Sequence, residues 1–179
     1  MTTRTIRQRL CGTFAAITMS ALLSVLGLVP LTGDAVAQSA KDLVGAWTFV
    51  SAVNTRPDGT KFDPNGGKPT GGMLFFVSTG QFSWQTIRFD IPKLASNNRS
   101  QGTADEFKAV AQGVFSYFGT YSLDDSGKTL TQNVKASSFP NLNDGKRIWA
   151  IAITGDELTL LTQAAASGGT AELKWKRVK

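Results

Sequence analysis

The sequence predicts an all-β fold: a single antiparallel up-and-down β-barrel of about eight strands with one short helix before the fourth strand. Three observations predict it. Apolar and polar residues alternate along most of the chain after residue 37, as in strands with one buried face. Short turns with glycine separate these stretches at Thr79-Gly80, Asp124-Asp125-Ser126-Gly127-Lys128 and Gly155-Asp156. No long crossover divides the strands into two groups, so a two-sheet sandwich is the weaker reading.

The start of the chain reads differently. Arg4, Arg7 and Arg9 form a basic region, and no charged residue occurs from Leu10 to Gly33. Ala35-Val36-Ala37 then has the small-x-small pattern of a signal peptidase site. The expected organisation is a signal peptide over 1–37, cleaved after Ala37, and one domain over 38–179. That domain would be periplasmic or secreted. An uncleaved anchor is the rival, because the uncharged run is long enough to span a bilayer. Gly27, Pro30 and Gly33 near its end favour cleavage, and no stable membrane insertion is then expected.

Cleavage removes Cys11, the one cysteine, and the chain has no histidine. The domain is therefore expected to rest on burial and sheet closure, without disulfides. The formal charge of the whole chain is +6. No basic run alternates with exposed aromatics, so no nucleic-acid partner is expected.

The strands follow in order. Residues 43–54 place Trp47, Phe49, Ser51 and Val53 on one face. Residues 73–78 and 81–89 flank Thr79-Gly80. Taken as a two-residue turn, it pairs Val77 with Phe82, Phe75 with Trp84 and Met73 with Thr86, with Arg88 further along that face. Thr103-Ala104-Asp105-Glu106 has the form of a capping box. Phe107, Val110, Ala111 and Val114 follow at helical spacing, so a helix is expected across an opening of the barrel. Residues 116–123 and 129–138 pair Leu123 with Leu130, Tyr121 with Gln132 and Tyr117 with Ala136. Residues 146–154 and 157–163 pair Ile153 with Leu158, Ile151 with Leu160 and Trp149 with Thr162, with Arg147 beyond. Residues 170–178 form the last strand. A one-residue slip in any hairpin would turn its apolar set outward.

In such a meander the three tight turns fall at one end, which is narrow and closed. The long connections, 55–70, 90–115, 139–145 and 164–169, fall at the other, which is open. Trp47 and Arg177 map to the closed end. Arg88 and Arg147 map near the open end, facing in.

Gly45-Ala46-Trp47 resembles the G-x-W signature of lipocalins. In that family the tryptophan plugs the closed end and an arginine packs over it, roles the resemblance assigns to Trp47 and Arg177. The chain is also similar to bacterial and fungal lipocalin-like domains in an ordered series. The series runs through Leu43-Val44-Gly45-Ala46-Trp47, Gly72-Met73-Leu74-Phe75-Phe76, Tyr117-Phe118-Gly119-Thr120-Tyr121, Phe139-Pro140-Asn141, Gly155-Asp156-Glu157-Leu158-Thr159-Leu160 and Leu173-Lys174-Trp175. Members of that family often carry histidine where this chain has Gln132-Asn133, so any acid–base or metal role of that histidine is missing.

Metal chemistry finds few donors. Asp63-Pro64-Asn65-Gly66-Gly67 faintly suggests a calcium loop, but Leu74 stands where a closing glutamate is needed. No cofactor is expected. No serine has an activating histidine or a Ser-x-x-Lys spacing, so no catalytic residue is assigned. An isomerase or cyclase using Tyr117 and Tyr121 as proton donors is the enzymatic alternative. A filled-core interaction barrel is another.

Recognition of a small hydrophobic or amphipathic molecule, an acid among the candidates, is the leading expectation. Phe75, Trp84, Trp149 and Ile151 would form the apolar wall. Tyr117, Tyr121 and Gln132 would offer hydrogen bonds, and Arg88 and Arg147 would pair with a carboxylate or phosphate.

Overall fold

Alternation along the chain becomes strand, and the last strand returns to pair with the first. The computed structural model describes residues 39–165 and 168–179; the expected signal peptide and its cleavage site lie outside the described residues. The strands are β1 (Gly45–Thr55), β2 (Lys61–Phe62), β3 (Thr70–Phe76), β4 (Gln81–Arg88), β5 (Val114–Leu123), β6 (Thr129–Ser137), β7 (Lys146–Thr154), β8 (Glu157–Thr162) and β9 (Thr170–Arg177). Helix α1 (Ala40–Leu43) precedes β1, and α2 (Ala104–Gly113) precedes β5, the fourth strand of the barrel. Neighbours in sequence pair antiparallel from β3 to β9, and β1 pairs with both β3 and β9. Eight strands thus close into a barrel without free edges. Strand β2 is an addition within a connection expected to be loop, and it pairs with the end of β1 through Asn54 and Thr55.

Two hairpin registers follow from side-chain period alone. Tyr121 faces Gln132 and Leu123 faces Leu130, as expected. Ile153 faces Leu158 and Ile151 faces Leu160. The β3–β4 hairpin differs from expectation by one residue on β3. Leu74 faces Trp84 and Phe76 faces Phe82. The reason is the turn. Val77 N–H donates to Gln81 O and Gly80 N–H to Val77 O, so three residues, Ser78-Thr79-Gly80, form the loop. Gly80 has φ of 89°, the left-handed conformation that closes three-residue hairpins. Leu74 and Phe76 therefore point inward. Phe75, expected in the ligand wall, points out and is 37 % exposed.

Bulges account for two further departures. The β1–β9 register slips between Phe49 and Ser51. An inserted residue reverses the faces beyond it, so Asn54 is buried and Val53 is 38 % exposed. In β5 the register slips between Phe118 and Gly119, and Tyr117 stands opposite Ser137, not Ala136. Gly119 permits a close approach there, since a Cβ would collide with Asn133 O.

Helix α2 has the expected capping box: Glu106 N–H donates to Thr103 Oγ1 and Thr103 N–H to Glu106 Oε2. Its apolar stripe covers less of the barrel than its spacing suggested. Phe107 lies against Gly102 of the preceding connection, and Phe107 and Val110 keep over a third of their surface exposed. Among the described residues, no helix is long and apolar enough to cross a membrane.

Candidate functional site

The barrel interior has two ends built from the same residue types. At the closed end, Trp47 is fully buried, and its Nε1–H donates to Leu43 O at 2.9 Å. The Arg177 guanidinium lies 4.1 Å from the Trp47 ring centroid. Its Nη1 donates to Val44 O at 3.1 Å, and its Nη2 donates to Asp42 O. Trp47 and Arg177 are register partners, so pairing of the first and last strands creates the contact. Gly45 adjoins it: a Cβ there would meet Arg177 Nη1 at 3.4 Å. Gly45, Trp47 and Arg177, to which the resemblance gave closed-end roles, thus lie together. Tyr121 belongs to this end as well. Its hydroxyl donates to Val77 O at 3.0 Å, and its ring meets Phe76 edge-on. Ile151 is buried in the same core.

Toward the other end the packing stops short of filling the barrel. A cavity of about 210 Å³ remains. Strand side chains Phe49, Trp84, Thr86, Phe115 and Trp149 line it. Its rim comes from the long connections: Pro64 and Asn65 after β2, Gln112 of α2 and Ala165 after β8. The expectation of an open, loop-rich end is met in these residues. Asp63 holds one part of the rim, accepting from Asn65 N–H at 2.7 Å and Gly67 N–H at 3.2 Å. This carboxylate ties the loop that faintly suggested calcium.

Aromatic rings form the floor. Trp84 stacks on Trp149 at 5.6 Å and 16°, and on Tyr117 at 5.2 Å and 26°. Trp175 meets Trp84 edge-on at 4.7 Å. Gln132 lies behind them, fully buried. Its Oε1 accepts from Trp149 Nε1 at 2.9 Å and from Tyr117 OH at 3.3 Å. Two donors on one oxygen orient the amide, with its NH₂ turned the other way. Burial pushes the Tyr117 phenol far above its ordinary value of 10.0, against a smaller downward pull from Arg147. Tyr117 therefore stays protonated and acts as a donor.

Arg147 completes the cavity wall. Its guanidinium carbon lies 4.8 Å from the Trp149 ring centroid, 5.5 Å from Tyr117 and 5.9 Å from Phe115. Its Nε is buried without a hydrogen-bond partner. The same holds for Trp84 Nε1, Gln132 Nε2 and Trp175 Nε1. All four are donors. Two of them, Trp84 Nε1 and Arg147 Nε, belong to residues that line the cavity.

The expected site residues thus separate. Trp84, Arg147 and Trp149 line the cavity, and Tyr117 and Gln132 support that wall from behind. Phe75 is on the outer surface. Arg88 is held at the rim by Asp90, whose two oxygens accept from its Nε and Nη2, each at 2.8 Å. Arg88 is not among the cavity residues. Tyr121 and Ile151 serve the closed end. Neither tyrosine lines the cavity. Sequence reasoning missed Phe115, Thr86 and Leu173 as lining residues and Trp175 beneath them. Alternation in β9, where Ala171, Leu173, Trp175 and Arg177 share a face, carried the signal for the last two.

A closed antiparallel barrel, plugged at one end by tryptophan and arginine and hollow toward the other, is the architecture of lipocalin-type barrels. Residues 44–178 match the family model described as a lipocalin-like domain, and the chain belongs to that family. A search of curated proteins finds no match. Among solved structures, a redesigned beta barrel is similar at 12 % identity and a TM-score of 0.42, covering 81 % of this chain and 99 % of that one. The fatty acid transporter REP1-NXSQ is similar at 13 % identity and 0.37, covering 78 % and 98 %. As-p18, an extracellular fatty acid binding protein, is similar at 15 % and 0.36, covering 76 % and 96 %. These likenesses are distant, and the fold is read from the strand ladders themselves.

Proposed function

We propose that this barrel is an exported binding protein that holds a small amphipathic molecule in the open half of its interior. One observation carries the reading: the cavity is walled by aromatic rings, and two of its lining residues, Trp84 and Arg147, present buried donors with no partner. Small-molecule sites combine an apolar wall with a few placed polar groups in this way. A core serving only to fill the barrel would pack to crystal-like density and satisfy its donors.

The test uses the rings themselves. Trp84 and Trp149 line the cavity, so an occupant changes their emission. Native mass spectrometry of protein purified from its host is expected to show a bound small molecule. Titration with amphipathic probes of one ring or a short chain is expected to change tryptophan fluorescence saturably. No bound mass and no response to any probe would sink the reading. Export is supported by the basic start, the uncharged run and the Ala35-Val36-Ala37 pattern. The intact mass of exported protein is expected to correspond to a chain beginning at Gln38; a mass that includes Arg4 to Arg9 would refute cleavage there.

A further inference from the structure

Resting on that reading, we infer that the occupant is a small aromatic acid of about one ring, a benzoate-class carboxylate, with its anionic group on Arg147. Three independent observations converge on this class.

The first is polarity. Two of the unpartnered buried donors, Trp84 Nε1 and Arg147 Nε, belong to residues that line the cavity. An occupant that pairs with either must bring an acceptor. No aspartate or glutamate lines the cavity, and Arg147 is its charged lining residue. Among the described residues Arg147 has no carboxylate partner, in contrast to Arg88, which is forked onto Asp90. A half-buried guanidinium without a counter-charge favours an anion over a neutral ligand.

The second is geometry. Arg147 meets three aromatic rings within 6 Å, at Trp149, Tyr117 and Phe115. Ring contact uses the charge of a guanidinium and forms no conventional hydrogen bond. A carboxylate takes guanidinium N–H groups, often two at a time. Arg147 lines the cavity, and its Nε has no hydrogen-bond partner among the described residues. Ring contact and carboxylate binding can therefore coexist on the same side chain.

The third is size. An engineered apolar cavity of about 150 Å³ in another protein holds benzene. The 210 Å³ here takes one ring with a carboxylate. It falls short of the roughly 300–1,000 Å³ typical of drug-sized ligands, and a long acyl chain needs more room still. Rings of Trp84 and Trp149 give a flat aromatic body faces to lie against.

The test compares benzoate, benzamide and dodecanoate on the full exported domain, by calorimetry and tryptophan emission. Benzoate is expected to bind about tenfold or more tightly than benzamide, its neutral near-isostere, because only the acid forms a charge-assisted pair. Arg147→Met is expected to bring that ratio to near one while near-ultraviolet dichroism stays native. Dodecanoate is expected to bind more weakly than benzoate. A wild-type ratio near one, or dodecanoate tightest of the three, overturns the inference and leaves the binding barrel standing. Failure of all three, together with no co-purified mass, overturns both. Should Arg147→Met not fold, the wild-type ratio decides alone.

Discussion

Two arginines in this barrel sit over tryptophan rings, and their surroundings differ in kind. Arg177 lies 4.1 Å from Trp47, and two backbone carbonyls take its N–H groups while a third takes the indole N–H. Arg147 lies 4.8 Å from Trp149, with its Nε buried and unpaired and Trp84 Nε1 unpaired nearby. The difference comes from the chain next to each pair. At the closed end, α1 and the residues after it fold over the opening and supply carbonyls. At the open end the neighbouring segments are long connections that form a rim. The same chemistry locks the structure where backbone completes it and leaves donors without partners where backbone stands back.

The strongest way to break this comparison is Trp47→Ala. Removing the fully buried plug is expected to lower unfolding stability by about 3–5 kcal/mol, measured by urea titration. A loss under about 1 kcal/mol would mean that the closed end does not hold the barrel together. Next comes Gln132→Leu, which strands the Trp149 and Tyr117 donors on one lost oxygen. A destabilisation of about 2 kcal/mol or more is expected from the same titration. A neutral result would show that the aromatic floor stands without its amide.

The two arginines themselves sharpen the contrast. Arg177→Met is expected to cost about 1–3 kcal/mol, because it removes donors already paired with carbonyls. Arg147→Met is expected to stay within about 1 kcal/mol of wild type, because it removes ring contacts together with an unpaired buried donor. Equal losses would erase the distinction.

The smallest effect concerns the rim. The Arg88 fork holds the Asp90 carboxyl below its ordinary 3.8, helped by the charges of Arg88 and Lys68. A lowered folded value means the tether is in place above 3.8 and is lost as pH falls through that lowered value. The difference in melting temperature between wild type and Asp90→Asn is therefore expected to be small at neutral pH and to vanish as pH falls below 3.8. A difference that grows toward acid would contradict the assignment.

Legibility in the sequence follows physical range. The strands, the closing of the meander, the capping box of α2 and the placement of Trp47 and Arg177 at one end rest on local period or on strand counting, and each could be read directly; the packing of Arg177 over Trp47 came from the resemblance to lipocalins. The inward face of β3 could not. It turned on whether Val77 bonds to Gln81 across a loop of two residues or three, a choice made by the φ of Gly80. The bulges after Phe49 and Phe118 were equally silent, because an inserted residue is indistinguishable from a regular one until its partner strand is in place. Phe75 was therefore assigned to the wall in place of Leu74, and Asn54 was missed.

By itself, then, the sequence determined that this chain would roll into a closed barrel with one sealed end and one loop-rich end, since alternation and turn spacing act between near neighbours. Only tertiary structure decided which arginine stays available. Arg88 and Arg147 look alike along their strands, and Asp90, two residues on, takes the first while three rings surround the second. Two of those rings, Phe115 and Tyr117, come from β5, and their place beside Arg147 depends on how distant strands come to rest, which no local pattern encodes.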